Sequence, residues 1–177
     1  TLKYGFICST MNIALILHDN TMTSKNALNR PLHADKNDGN LYLLKTIAFT
    51  HKNTPIKELN RFFLHEENRK ERLEYLKFSC DIDEIFYVAT CNRIEFFFTT
   101  HHILDHNFLR KFYRHFRNDW NSEEVDFAIK YGEIFEGEDA LRHIYRVASS
   151  LDSLVIGERE IITQVRKAYD LCKDDGL

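Results

Sequence analysis

Apolar and polar residues alternate with different spacings along the chain, and each spacing predicts an element of secondary structure. An apolar block at Leu41–Thr50 predicts a first strand. Thr54 followed by Pro55 predicts a helix start, because the threonine oxygen can cap the helix and proline at its first position loses no hydrogen bond. The charged segment Glu66–Phe78 predicts a second helix with a solvated face. The apolar face expected for the first helix consists of Ile56, Leu59, Phe62 and Phe63.

Two closely spaced apolar runs predict a pair of strands, Asp83–Ala89 and Arg93–Thr99. The residues between them, Thr90-Cys91-Asn92, leave room only for a tight connection. A helix is expected over Ile103–Trp120, where apolar residues recur at fourfold spacing. A short strand is expected around Tyr131–Phe135.

The chain is expected to be helical after Gly137, with one helix marked by apolar residues up to Leu151 and another marked by Ile161 to Cys172. This order of elements predicts an α+β domain, in which helices cover one face of an antiparallel sheet and a helical bundle is appended. Residues 1–40 are expected to be a flexible leader, since the stretch Asp19–Asn40 is polar and has almost no periodic apolar face. The last helix still shows an apolar face where the sequence ends, as expected of a piece cut from a longer protein.

Composition narrows the classes of function. The hydrophobic fraction is 44% and the aromatic fraction is 13%, which is typical of a globular protein. The chain has 24 Lys and Arg residues and 27 Asp and Glu residues, so its net charge does not attract nucleic acid. Any contact with RNA therefore requires a local positive patch. No apolar run approaches the roughly 20 residues of a membrane helix. Four cysteines without a CxxC pair or a convincing secretion signal indicate a cytoplasmic protein with free thiols.

Cys91 is the candidate nucleophile. It lies in a turn at the end of a strongly apolar strand, and such turns present side chains to solvent. Arg93 favours the thiolate, which is the nucleophilic form of cysteine. The alternative is a small buried hydrophobe, as most cysteines are. Cys80 and Cys172 lack this setting, and Cys172 is predicted to belong to the core.

Three other features are open to a structural or a functional interpretation. His143 lies beside the apolar stripe of its helix as a half-buried histidine, and it can act as acid, base or orienting group if the helix faces Cys91. The polar segment Ser149–Gln164 either caps and bends helices or lines a pocket for an amino acid. The cluster His101, His102, Asp105 and His106 is more typical of a solvated helix start than of a metal site.

Three segments, in order along the chain, resemble the glutamyl-tRNA reductase family. They are Thr90-Cys91-Asn92-Arg93-Ile94-Glu95, the run from Gly137 through Glu158, and His51–Pro55 after the first strand. The resemblance covers residues 42–177. It implies a ferredoxin-like sheet with an appended helical subdomain, with the catalytic domain over residues 41–159. Residues 160–177 would then begin a long helix toward an NADPH-binding domain and a dimerisation domain.

The resemblance also implies a mechanism. Cys91 attacks the aminoacyl ester of glutamyl-tRNA to form a thioester, His143 supports activity, and NADPH bound by the other domain yields glutamate-1-semialdehyde for tetrapyrrole biosynthesis. This chain alone would capture glutamate as a monomer, while the full-length enzyme would be a homodimer that channels its product to the next enzyme. Arg93 is a natural partner for the substrate carboxylate. The implied substrate-contacting positions are Thr90, Asn92, Arg93, Ser153, Glu158, Arg159, Glu160 and Gln164.

The sequence departs from the family pattern at several positions. Ser150 replaces a usual glycine, Leu59-Asn60 replaces a usual Arg-Glu, and Glu160 replaces a usual glutamine and adds negative charge near a site for an acidic substrate. Two other functions stay open. One is a non-catalytic RNA-binding module that uses Phe96-Phe97-Phe98 as a stacking platform. The other is a thiol hydrolase of small esters that uses the same cysteine. No glycine-rich nucleotide-binding motif occurs in the sequence.

Overall fold

The computed structural model describes residues 38–149 and 159–177. A 3₁₀ segment, Asp38–Leu43, leads into the first strand, and a second one, Asn60–Phe62, follows the first helix. In chain order, the strands and α-helices are β1 (Leu44–Thr50), α1 (Ile56–Leu59), α2 (Glu66–Cys80), β2 (Glu84–Ala89), β3 (Arg93–Thr99), α3 (His106–Phe116), α4 (Ser122–Tyr131), β4 (Glu133–Glu136), α5 (Gly137–Ala148) and α6 (Arg159–Asp175).

Four antiparallel strands form one sheet in the order β2-β3-β1-β4. Helices lie between β1 and β2 and between β3 and β4, so that the connectivity is the ferredoxin-like one. The α+β class and the ferredoxin-like sheet are thereby confirmed. In the central pairing of β1 with β3, Thr50 lies directly opposite Arg93, at the end of the sheet where the β2–β3 hairpin turns.

Each face of the sheet has its own hydrophobic core, because successive residues of a strand point to opposite faces. Phe96 and Phe98 of β3 pack in the core shared with α2, α3 and α4, whereas Phe97 packs in the core shared with α5 and α6. The helices predicted as an appendage therefore cover the second face of the sheet. All three phenylalanines are at most 1% exposed, so they cannot form a stacking platform for RNA.

The entry into α1 differs in detail from the prediction. β1 begins at Leu44 rather than Leu41, because residues 38–43 form the 3₁₀ segment. The helix starts after Pro55 as expected, but Thr54 does not cap it. The Thr54 hydroxyl instead donates a hydrogen bond to Asn53 Oδ1 at 2.9 Å.

The apolar face predicted for this helix was wrong for two of its four members. Leu59 and Phe62 are buried, but Ile56 is 62% exposed and Phe63 is 39% exposed. The reason is that α1 lasts for only four residues before it tightens into the 3₁₀ turn, so the side chains do not continue along one α-helical stripe.

The predicted helix Ile103–Trp120 is shorter than expected, and another helix, α4, follows it that was not predicted. Asp105 caps α3 through its side chain, so the predicted solvated helix start at the histidine cluster is confirmed. α4 begins with a capping box: Asn121 Oδ1 accepts a backbone hydrogen bond from Glu124, and the Glu124 carboxylate accepts one from the Asn121 N–H at 2.9 Å. The Asn-x-x-Glu spacing was the sequence signal for this helix.

The last two helices form where the sequence predicted them. Cys172 on α6 is buried and donates a hydrogen bond from Sγ to the Ile85 carbonyl at 2.9 Å, so its predicted place in the core is confirmed. Most of the predicted leader lies outside the described residues, and so do Ser150 and Leu151. Within the described ranges, no helix is long and apolar enough to span a membrane.

Candidate functional site

Cys91 lies at the tip of the hairpin between β2 and β3. The N–H of Thr90 donates to the Arg93 carbonyl at 2.8 Å, which closes the turn. Thr90 Oγ1 donates to Asn92 Oδ1 at 3.0 Å, and the N–H of His51 donates to the Asn92 carbonyl at 2.9 Å. These bonds fix the backbone on both sides of Cys91, whose side chain is exposed, as the sequence predicted.

The other two cysteines in the described part of the chain, Cys80 and Cys172, are buried. Burial raises the pKa of the Cys80 thiol to about 11, and the positive charge of Lys111 only partly opposes this effect. The Cys80 thiol therefore stays protonated at neutral pH and does not meet solvent. Of these three cysteines, only Cys91 can contact a substrate that arrives from solution.

Iodoacetamide should consequently label Cys91 alone among these three cysteines when the native protein is treated near neutral pH, because alkylation requires an accessible thiolate. Peptide mapping by mass spectrometry measures the labelling, and treatment in denaturant should label all three as a control for detection. Rapid native labelling of Cys80 or Cys172 at neutral pH would contradict the burial.

A buried ionic cluster lies on the sheet face that α5 covers. Arg93 Nη1 donates to Glu95 Oε1 at 2.9 Å, and Glu95 Oε2 lies 2.9 Å from His143 Nε2. The exposed fractions are 1% for Arg93, 0% for Glu95 and 6% for His143. Arg93 and Glu95 point to the same face because they are two positions apart on β3, and α5 brings His143 over them. A buried carboxylate needs such partners to offset its lost hydration.

His143 is more buried than the sequence indicated, since a half-buried ring was expected. Its ring stacks on Phe135 of β4, with ring centroids 4.2 Å apart and an interplanar angle of 13°. Glu95, which anchors the other side of the ring, was not singled out from the sequence as a site residue. The sequence signal that could have identified Glu95 was its position two residues after Arg93. This spacing puts a carboxylate on the same buried sheet face as Arg93, in a largely apolar strand.

A cleft with a volume of about 380 Å³ opens beside His143. Besides His143, the cleft is lined by three cationic side chains and two carboxylates, so its lining has a small excess of positive charge. The cationic side chains are those of Lys52, Arg142 and Arg146, and the carboxylates are those of Glu133 and Asp139. Thr50, the cross-strand partner of Arg93, is part of this lining, so the cleft lies beside the sheet end from which Cys91 projects. The residues that line the cleft are Thr50, Lys52, Glu133, Phe135, Asp139, Arg142, His143 and Arg146.

Comparison with known proteins decides the family. Residues 47–177 match the family described as Glutamyl-tRNAGlu reductase, N-terminal domain. The chain belongs to the glutamyl-tRNA reductase family. The resemblance seen in the motifs around Cys91 and His143 is thereby confirmed.

Individual glutamyl-tRNA reductases show the extent of the match. The Archaeoglobus fulgidus protein is 34% identical over 130 residues, which cover 73% of this chain and 26% of that protein. The Campylobacter hominis protein is 34% identical over 133 residues, which cover 73% of this chain and 30% of that protein. The solved glutamyl-tRNA reductase from Methanopyrus kandleri matches with a TM-score of 0.55 and 26% identity, over 76% of this chain and 29% of that one. This chain therefore spans between about a quarter and a third of the length of these relatives.

Three substrate-contacting positions implied by the glutamyl-tRNA reductase resemblance lie on the hairpin. Thr90 is half-buried, while Asn92 and Arg93 are buried. The Asn92 carbonyl accepts a hydrogen bond from the His51 N–H, and its side-chain oxygen accepts one from Thr90. The Arg93 guanidinium donates a hydrogen bond to Glu95. The positive charge of Arg93, which was expected to favour the Cys91 thiolate, is therefore offset by the neighbouring Glu95 carboxylate.

The other implied positions lie on or before α6. Gln164 is half-buried, and its Oε1 is buried and accepts no hydrogen bond from the described residues. Ser153 and Glu158 lie outside the described residues, as do the side chains of Arg159 and Glu160 at the start of α6. Their substrate contacts stay predictions of the glutamyl-tRNA reductase resemblance.

Proposed function

We propose that this chain forms a thioester between Cys91 and glutamate taken from glutamyl-tRNA, the first half of the glutamyl-tRNA reductase reaction. The observation that carries the proposal is the exposed thiol at the tip of a well-fixed hairpin in a domain of this family. A nucleophile must reach its substrate, and the other two described cysteines are buried.

The chemistry follows from the two functional groups that react. The Cys91 thiolate attacks the carbonyl carbon of the aminoacyl ester, a sulfur–carbon bond forms, and the bond from that carbon to the ribose oxygen breaks. The ester is already activated, so no ATP is consumed. A thioester accepts hydride more readily than an ester does, and covalent capture thus divides a difficult reduction into two easier steps.

The cleft beside His143 suits such a substrate. Its lining has a small positive excess, which favours a glutamyl group that bears a carboxylate and is attached to a polyanionic tRNA. Thr90, Asn92 and Arg93 would contact the substrate around the thiol, and Ser153, Glu158, Arg159, Glu160 and Gln164 would contact it from the α6 side. His143, which reaches the cleft, would move the protons that the transfer requires.

The reduction itself requires NADPH, which supplies a hydride when it is bound. The six glycines of this chain are scattered and form no glycine-rich dinucleotide-binding motif. We therefore assign no step of the reduction to its residues. A homodimeric full-length enzyme, a cytoplasmic location and channelling of glutamate-1-semialdehyde to the next enzyme are further parts of the proposal that the family suggests.

The test is whether the protein gains the mass of one glutamyl group when it is incubated with glutamyl-tRNA. Intact-protein mass spectrometry should show this adduct, peptide mapping should place it on Cys91, and hydroxylamine should remove it, because thioesters are cleaved by strong nucleophiles. Alanyl-tRNA, which lacks the side-chain carboxylate, is the matched control and should give little adduct. Folded protein that forms no adduct would contradict the proposal, and steady release of free glutamate would instead indicate a thiol hydrolase.

A further inference from the structure

We propose that Glu95 is a positioning residue for His143: it holds the imidazole in the tautomer that carries its proton on Nε2 and leaves the Nδ1 lone pair available for proton transfer. The proposal rests on the proposed function, in which His143 moves protons during thioester formation. The tautomer, however, is a property of the folded protein and can be measured without any substrate.

The hydrogen-bonding capacities of the three side chains determine the tautomer. A guanidinium only donates and a carboxylate only accepts. Arg93 Nη1 occupies Glu95 Oε1 at 2.9 Å, and Glu95 Oε2 lies 2.9 Å from His143 Nε2. Because Oε2 can only accept, Nε2 must donate. In the neutral imidazole the proton therefore resides on Nε2, and Nδ1 keeps its lone pair.

Two different contacts restrain the ring. Stacking on Phe135, with centroids 4.2 Å apart, fixes the plane of the imidazole. The bond to Glu95 fixes its rotation within that plane. Glu95 is fully buried, so this hydrogen bond is shielded from bulk water. His143 is thereby held in one orientation at the wall of the cleft.

This orientation defines where each proton goes in the proposed reaction. His143 Nδ1 first takes the proton of the Cys91 thiol, and the thiolate that results attacks the ester carbon. The same proton then passes to the ribose oxygen as that oxygen leaves, so that free tRNA departs with a neutral hydroxyl and the imidazole is regenerated. The Nε2 proton stays in its bond to Glu95 throughout, and the carboxylate stabilises the positive charge that the ring carries in between.

Replacement of Glu95 by glutamine tests this arrangement sharply, because an amide has only one acceptor oxygen. Arg93, which can only donate, will take that oxygen, and the amide NH₂ must then face His143 Nε2. The ring should switch to the tautomer with its proton on Nδ1. Nitrogen-15 NMR of labelled histidine rings measures this switch directly. We expect adduct formation from glutamyl-tRNA to slow by about 10²–10⁴-fold in E95Q, as expected when a general base is held in the wrong tautomer.

Glu133→Gln is the matched control for the tautomer. Glu133 also lines the cleft, but its carboxylate accepts a hydrogen bond from Asn53 rather than from the histidine. The same change of carboxylate to amide at this position should leave the His143 ring signals unchanged.

A second variant, Glu95→Asp, keeps the proposal testable if E95Q fails to fold, since E95Q also removes the negative charge that balances the buried Arg93. Aspartate keeps that charge but is one methylene too short to bridge both partners. The folded E95D protein should retain a neutral cluster, show mixed His143 tautomers and form the adduct at least about tenfold more slowly than the wild type.

The effect of Glu95 should also disappear when His143 is absent. In an H143N background, E95Q should cause no further loss of rate, because residues that act through one another are not additive. An Nε2-protonated ring in folded E95Q, or an undiminished rate effect of E95Q in the H143N background, would overturn the proposal. If the wild type forms no adduct, the proposed function fails, while the NMR measurement still decides whether Glu95 sets the tautomer.

Discussion

Replacing Cys91 with serine is expected to slow the transfer of glutamate from glutamyl-tRNA to the protein by at least about a thousandfold, because a serine hydroxyl is a far weaker nucleophile than a thiolate at neutral pH. The change should leave the fold intact. Cys91 is exposed, and the turn around it is held by Thr90, Asn92 and His51 rather than by the thiol. The rate is measured as radiolabel from charged tRNA that remains bound to denatured protein.

Cys172→Ser is the matched control for this experiment, since it makes the same change at a buried cysteine. The serine hydroxyl can still donate to the Ile85 carbonyl that Sγ contacts in the native protein. This variant should acquire label at nearly the wild-type rate. Label that persists in folded C91S, or that is lost in folded C172S, would mean that the nucleophile has been misassigned.

Replacing Phe96 with alanine is expected to lower the free energy of unfolding by about 3–5 kcal/mol, the usual cost of removing a buried aromatic ring. Phe96 is fully buried, and its ring centroid lies 5.2 Å from that of Tyr87, 5.4 Å from that of Phe112 and 5.1 Å from that of Phe116. These contacts join the sheet to α3, so the truncation leaves a cavity between them. Urea unfolding followed by circular dichroism measures the loss.

Phe78→Ala is the control for the chemical change itself. Phe78 lies on α2 but is 89% exposed, so its truncation should change the free energy of unfolding by no more than about 0.5 kcal/mol. The difference between the two variants isolates the contribution of burial. Equal effects at the two positions would show that Phe96 does not lie in the core that the structure gives it.

Local sequence patterns predicted most of the elements correctly. β3 was predicted residue for residue, and the prediction of the hairpin placed Cys91 in a turn. These predictions succeeded because strand alternation and tight turns depend on residues that are close in sequence. The failures concern short or irregular elements. Because α1 lasts only one turn, the apolar spacing of Ile56 and Phe63 did not predict their exposure correctly. The helix α4 was missed, although Asn121 and Glu124 mark its start.

The sequence by itself determined the family and the order of the four strands in an antiparallel sheet, and it indicated that Cys91 lies in a turn, since each depends on motifs or periodicities within short segments. The tertiary structure alone decided the partner of His143, because Glu95 lies 48 residues away and meets it only when α5 packs over β3. It also decided that Arg93 is buried and bound to a carboxylate. The physical reason is that burial and ion pairing depend on how distant segments pack, and local spacing carries no information about that packing.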